Sequence, residues 1–311
     1  MKILKWLGIA LVLLLIAILI FVFVSHRQNF VEHRNYDEQV RLEAPGSLVQ
    51  LSQGYTHYHL QGPSDAPMVV LVHGFSIPAE AWGETAEFLL AQGYQVLSYD
   101  LYGRGYSERP RVMYTGEVFE RQLIDLLDAL HVQQPIVLAG LSMGGAVVMR
   151  TAANHPERVR GNILLAPLHQ PLQPPPMPER IGHYMISGFY VPTLRASLAA
   201  DYLTPEQQEQ MLEAYDAQMQ IRGFTRALTS SFYAFTTEDH PSFYRQTQEH
   251  GQPTLLIWGE RDNVVPFRQS EGVRADALVV DFLAFPDVGH APHLERPEEV
   301  QRTMLQFLQS L

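Results

Sequence analysis

A serine, an aspartate and a histidine, each placed just past an apolar run, are the residues of this chain best suited to chemistry. Ser142 is the centre of Gly140-Leu141-Ser142-Met143-Gly144. Asp262 lies in Gly259-Glu260-Arg261-Asp262, after the apolar run 254–258, and His290 lies in Asp287-Val288-Gly289-His290-Ala291-Pro292. A hydroxyl, an imidazole and a carboxylate within reach of one another make an activated nucleophile. The imidazole takes the serine proton, and the carboxylate fixes the tautomer and supports the imidazolium.

The Ser142 pentapeptide has the context that such a nucleophile needs. The apolar run 136–139 precedes it, bounded by Pro135, and a helix-length segment follows from Gly145 and stops before Pro156. Strand, sharp turn and helix put the hydroxyl at the tip of a strained turn. The helix N-terminus then lies behind it, where free N–H groups favour a developing oxyanion.

The remaining elements alternate in the way a mainly parallel, doubly wound sheet requires. Alternating segments at 48–52 and 55–60 around Gly54 predict an antiparallel hairpin. Strands are predicted at 68–72, 95–99, 136–139, 163–166, 254–258 and 278–282. Helices are predicted at 79–92, 117–130, after Ser142, and at 297–308. The alternation breaks after Pro167, where the proline-rich 171–178 excludes a helix or central strand. Helical segments at 179–199, 205–222 and 224–236 follow, rich in aromatics and Met. A helical insertion near the C-terminal edge of a sheet reads as a lid over the crevice. The expected organisation is an anchor at 1–25, a stalk at 26–46, a core of 47–167 with 251–311, and a helical cap at 168–250.

The net charge of −11 argues against a nucleic-acid surface, and the absence of cysteine excludes disulfides, thiolate metal sites and a Cys nucleophile. Residues 6–24 carry no charged or polar side chain. At 1.5 Å per residue they span about 28 Å, close to the hydrocarbon thickness of a bilayer. The segment ends at Phe21-Val22-Phe23-Val24-Ser25 without an Ala-x-Ala site, which favours an uncleaved transmembrane helix over a signal peptide. Lys2 and Lys5 lie on one side, Arg27 and Arg34 on the other. The very short leading tail favours a cytoplasmic N-terminus, so the expectation is a single-pass membrane protein with an extracytoplasmic catalytic domain.

Five segments together resemble the α/β-hydrolase fold family with a Ser-Asp-His triad. They are His73-Gly74-Phe75-Ser76, Asp100-Leu101-Tyr102-Gly103-Arg104-Gly105-Tyr106-Ser107, Gly140-Leu141-Ser142-Met143-Gly144-Gly145, Gly259-Glu260-Arg261-Asp262 and Gly289-His290. The chain order Ser, acid, His is that family's order. The resemblance implies catalytic roles for Ser142, Asp262 and His290, an oxyanion hole formed by the N–H groups of Phe75 and Met143, and a cap over 168–250. Serine at 142 separates the chain from the related haloalkane dehalogenases and epoxide hydrolases, which attack with a carboxylate. His73 and His293 are the other candidate bases, and Asp287 the other candidate acid. Asp100 and Arg104 read as a structural turn. His57, His59 and His169 lack metal-ligand spacing with acidic partners, so no metal is expected. No dinucleotide fingerprint follows the first strand, so no cofactor is expected.

The leading expectation is hydrolysis of a small-molecule carboxylic ester through an acyl-enzyme. The apolar cap and the anchor point toward lipid-like esters such as monoacylglycerols. Related families use the same triad as C–C bond hydrolases or as cofactor-free haloperoxidases and perhydrolases. Ala291-Pro292 departs from the aromatic that follows the histidine in the C–C hydrolases. A non-catalytic binding scaffold is the third expectation. No feature of the sequence specifies an oligomeric state.

Overall fold

Among the described residues, eight strands form one sheet in the order β1-β2-β4-β3-β5-β6-β7-β8. The computed structural model describes residues 2–174, 176–198 and 204–311. Met1, Pro175 of the proline-rich stretch and position 199 of the expected helix at 179–199 lie outside the described residues. β1 (Ser47–Leu51) and β2 (Gly54–Gln61) form the expected hairpin, and β2 pairs antiparallel with β4 (Gln95–Tyr99). β3 (Met68–Val72), β5 (Ile136–Leu141), β6 (Val159–Leu165), β7 (Thr254–Gly259) and β8 (Val279–Phe285) complete the sheet, and all pairings from β4 onward are parallel. The central strands are buried along their full length, as unbroken Val/Ile/Leu runs demand when both faces are covered.

Two apolar clusters fill the two faces. One gathers Val70, Leu97, Leu138, Leu164 and Leu256 against α4 (Gly116–Ala129) and α5 (Met143–Asn154). The other gathers Val69, Leu71, Val137, Ile163 and Leu255 against α3 (Gly83–Ala91) and α13 (Pro297–Ser310). Alternate residues of a strand thus supply opposite cores, which fixes register. α4 turns Val118, Phe119, Leu123, Leu126 and Leu127 inward, each worth about 1.5–3 kcal/mol of apolar burial.

Between β6 and β7 run α6 (Glu179–Met185), a π-helical turn at Ile186–Tyr190, α7 (Val191–Leu198), α8 (Pro205–Met219), α9 (Phe224–Tyr233) and α10 (His240–Glu249). Ile186, Val191, Tyr215, Met219, Phe224 and Leu228 share a small apolar core of their own. α10 instead packs on α5 and on α11 (Gln269–Asp276), and the sequence reading includes no helix there. Only His240, Tyr244 and Thr247 of α10 are buried, a helical face built from polar residue types that hydrophobic periodicity does not reveal.

α1 (Lys2–Asn29) precedes the sheet as an apolar helix whose first five turns are exposed. It is long and apolar enough to cross a membrane, with a mean hydropathy of 3.5 over its most apolar window. The polar segment after it is pinned to the helical insertion. Glu32 accepts from the Gly223 and Thr225 N–H groups at 2.6 and 2.7 Å, capping α9. Arg34 pairs with Ile221 in an isolated bridge, and Asp37 caps the short α2 (Glu38–Leu42).

Candidate active site

Ser142 occupies the turn between β5 and α5 with φ 55° and ψ −120°. A non-glycine residue there costs on the order of 1–3 kcal/mol, so the surroundings must hold it. They do so through the backbone: Ser142 N–H donates to the Leu165 carbonyl at 2.9 Å, and the Ser142 carbonyl accepts from Leu168 N–H at 2.9 Å and Gly145 N–H at 3.0 Å. A Cβ on Gly144 would stand 2.3 Å from the Val72 carbonyl oxygen and 2.4 Å from that of His73. Glycine at this position is therefore what lets α5 start against the end of β3. Ser142 itself is buried.

Asp262 and His290 arrive from the ends of β7 and β8, the same C-terminal edge as the Ser142 turn. His290 Nδ1–H donates to Asp262 Oδ2 at 2.8 Å. An ionised carboxylate only accepts, so this bond leaves Nε2 of the neutral ring with its lone pair free. Asp262 Oδ1 accepts from Val264 and Val265 N–H groups at 2.8 and 2.9 Å. Three donors therefore compensate a buried carboxylate, which would otherwise be costly to bury. Among the described residues, the Ser142 hydroxyl forms no hydrogen bond to His290. Catalytic hydrogen bonds often close only once substrate is bound.

Two further features brace the histidine loop, and the sequence reading assigned neither. Gly259 approaches it so closely that a Cβ would stand 2.2 Å from the Gly289 carbonyl oxygen. The Glu295 carboxylate, in the short α12 (Pro292–Glu295), accepts from Gly289 N–H at 3.0 and 2.9 Å. Glu295 follows His290 by five residues, but no sequence pattern distinguishes it from an exposed helix acid.

Phe75 follows β3, in the loop whose Gly74 faces the Ser142 side chain: a Cβ on Gly74 would lie 3.5 Å from Ser142 Cβ. His73 Nδ1–H donates to the Gly74 carbonyl at 2.8 Å, while its Nε2 accepts from Leu101 N–H at 2.9 Å. Burial holds this imidazole neutral, with a pKa lowered to about 4. Both nitrogens are thus committed to backbone, which leaves none for proton transfer. On the far side of Phe75, Arg104 Nε–H donates to its carbonyl at 2.8 Å and the guanidinium lies 5.4 Å over its ring. Among the described residues, neither the Phe75 N–H nor the Met143 N–H has an acceptor in the protein. Met143 is the first residue of α5, where N–H groups lack intrahelical partners.

The other candidates point elsewhere. His293 is buried with Nε2 at 3.2 Å from the Ala81 carbonyl oxygen, and burial lowers its pKa to about 3. Asp287 pairs with Arg296 at the surface. Asp100 is buried. Burial opposes its ionisation, but His57 and the Ala79 N–H outweigh that and hold its carboxyl well below the usual range. Its turn is structural. Among the described residues, no group of three or more His, Cys, Asp or Glu could hold a metal ion.

The arrangement can activate a hydroxyl and stabilise an oxyanion beside it. Known proteins of similar sequence bear on that reading. The chain is 29% identical over 259 residues to a dihydrolipoyllysine-residue acetyltransferase component of the acetoin cleaving system from Pseudomonas putida, covering 81% of this chain and 65% of that protein. It is 29% identical to a 2-hydroxy-6-oxononadienedioate/2-hydroxy-6-oxononatrienedioate hydrolase from Paraburkholderia xenovorans, over 86% of this chain and 94% of that one. The carboxylesterase YbfK of Bacillus subtilis is 25% identical, over 89% of this chain and 93% of its own length. Residues 69–303, from β3 into α13, match the model of the alpha/beta hydrolase family, and the chain belongs to that family.

Proposed function

We propose that this chain is a membrane-anchored serine hydrolase of carboxylic esters, with Ser142 as nucleophile, His290 as base, Asp262 as its orienting acid, and the Phe75 and Met143 N–H groups as oxyanion donors. The observation that carries this reading is the 2.8 Å bond from His290 Nδ1 to Asp262, made at the strand edge that also bears Ser142. With Nδ1 committed, Nε2 takes the Ser142 proton as Oγ attacks the ester carbonyl. The carbonyl electrons move onto oxygen, toward the Phe75 and Met143 N–H groups, which have no acceptor among the described residues. Such preorganised donors are worth about 3–4 kcal/mol each in the transition state. The tetrahedral species collapses, the His290 imidazolium gives its proton to the departing alkoxide, and an acyl-Ser142 ester remains. Water, deprotonated by His290, then releases the acid and regenerates the serine.

The length and hydropathy of α1 support a single-pass anchor. The apolar insertion and the anchor favour lipid-like esters. Turnover of a p-nitrophenyl ester series by the full chain, lost in Ser142→Ala together with fluorophosphonate labelling, tests the reading.

A second reading, hydrolysis of a C–C bond by the same residues, is favoured by the 29% identity to the oxononadienedioate hydrolase. The small Ala291 after His290 weighs against it. A dienone substrate assayed beside the esters separates the two.

A further inference from the structure

We propose that the groove between the π-helical turn and α9 holds the acyl chain of the substrate, and that this chain enters from the lipid leaflet occupied by α1 rather than from solution. The proposal rests on the ester-hydrolase reading above and adds the chain's path and its source.

The groove has a volume of about 360 Å³ and is lined by Met185, Ile186, Phe189, Tyr190, Thr193 and Phe232. That volume is at the low end for ligand sites, so it suits one narrow chain better than a bulky group. Apart from the Thr193 hydroxyl its walls are apolar or aromatic. That hydroxyl is committed, donating to the Phe189 carbonyl at 2.8 Å. The one other polar atom of the lining is the Tyr190 hydroxyl, so the groove offers mostly apolar surface to its occupant.

Its inner end adjoins the active site. The Tyr190 ring meets the Phe75 ring edge-on at 6.3 Å, and Phe75 packs on Ile186 and its neighbours in the small apolar core. An acyl chain in the groove would therefore run toward Phe75, whose N–H is one of the two proposed oxyanion donors.

Its outer end adjoins α1. Phe21 packs on Phe189 with ring centroids 5.7 Å apart, His26 Nδ1 and Ser187 Oγ are hydrogen-bonded at 2.9 Å, and Asn29 Nδ2–H donates to the Gly188 carbonyl at 2.8 Å. A Cβ at Gly188 would lie 3.1 Å from the His26 backbone nitrogen, so glycine is what allows the helix to seat on the turn. The turn thus touches the apolar helix on one side and the active-site loop on the other. A π-helical turn is rare and often marks a functional site, since it rotates successive side chains onto faces an α-helix would not give them. Beside it, Ile181, Tyr184, Met185 and Tyr190 are exposed, an apolar rim at the level where α1 leaves the domain. Such a rim suits contact with the membrane that α1 enters.

The test uses the full chain in phosphatidylcholine vesicles, with p-nitrophenyl acetate and p-nitrophenyl decanoate as probes. Thr193→Trp fills the groove and should lower the decanoate-to-acetate ratio of kcat/KM at least tenfold. Gly188→Leu unseats α1 and should lower the ratio of decanoate turnover in vesicles to that in detergent micelles at least fivefold. Fluorophosphonate labelling of both variants verifies that the site is folded. Labelled Thr193→Trp with an unchanged chain-length ratio overturns the groove, and labelled Gly188→Leu with an unchanged vesicle-to-micelle ratio overturns entry from the leaflet. If the wild-type chain hydrolyses neither ester and takes no label, the hydrolase reading fails and this proposal fails with it.

Discussion

His73 Nδ1–H holds the Gly74 carbonyl at 2.8 Å, and so aims the next N–H, that of Phe75, in the opposite direction across a trans peptide. Gly74 in turn packs against Ser142. A buried histidine that transfers no proton thereby orients one of the two proposed oxyanion donors. Replacing His73 by Phe frees that peptide. The account predicts a fall in kcat of about 10–100-fold, less than the full loss of a donor, with KM little changed. Steady-state kinetics on a short p-nitrophenyl ester, with a thermal melt as a folding control, checks it.

Glu295 is expected to act through His290. Its carboxylate fixes the Gly289 N–H and with it the loop that presents the imidazole. Glu295→Ala should lower kcat about tenfold while KM stays within about twofold, because misplaced general bases slow chemistry more than binding. Glu295→Gln keeps one acceptor and should recover most of the loss. Equal loss in both variants would point to a charge effect instead.

Gly259→Ala should act on stability. Its Cβ would stand 2.2 Å from one backbone oxygen and 2.3 Å from another, where no flexible side chain can yield. A cost of about 3 kcal/mol is expected, which for a domain of this size lowers Tm by roughly 10 °C. Differential scanning calorimetry reads it directly.

Stability should fall as the medium turns acidic. Burial lowers the pKa of His73 to about 4, of His240 to about 4 and of His293 to about 3. The unfolded imidazoles titrate near 6.5, so between these values the unfolded chain binds more protons and each histidine makes stability rise with pH. Glu80 has the opposite sign: burial, then the Asp100 charge, raises its pKa to about 7, so the folded chain keeps a proton that the unfolded chain has lost. His59, His169 and His183 are lowered by burial as well and Glu238 is raised by it, so the histidines outnumber the carboxyls and stability falls on going from pH 6 toward pH 4. Glu80→Gln removes one opposing group and should steepen that loss. Urea unfolding at pH 4.5, 5.5 and 6.5 measures both slopes.

Much of this site could be read from residue order because its parts are local. The Ser142 pentapeptide, the strand before Asp262 and the loop of His290 each declare themselves within about ten residues, through apolar runs ended by glycine. What braces them is not local. His73 acts on Gly74 through a ring buried under Leu101, and Gly259 matters only because Val288 and Gly289 arrive beside it. α10 hides its helical face in His240, Tyr244 and Thr247. Glu32 reads as one more charge in a polar segment until the fold brings it to the start of α9. In each case the partner lies far along the chain or the buried face is polar, and hydrophobic periodicity reports neither.

Everything proposed for this site depends on Ser142 being the nucleophile. The most direct measurement is mass-spectrometric mapping of the full chain after reaction with a fluorophosphonate, alongside p-nitrophenyl ester turnover by wild type and Ser142→Ala. One adduct is expected, on Ser142, with a loss of at least about 10³-fold in kcat in the variant, as when the nucleophile of a triad is removed. An adduct on another residue, or ester hydrolysis undiminished in folded Ser142→Ala, would contradict it.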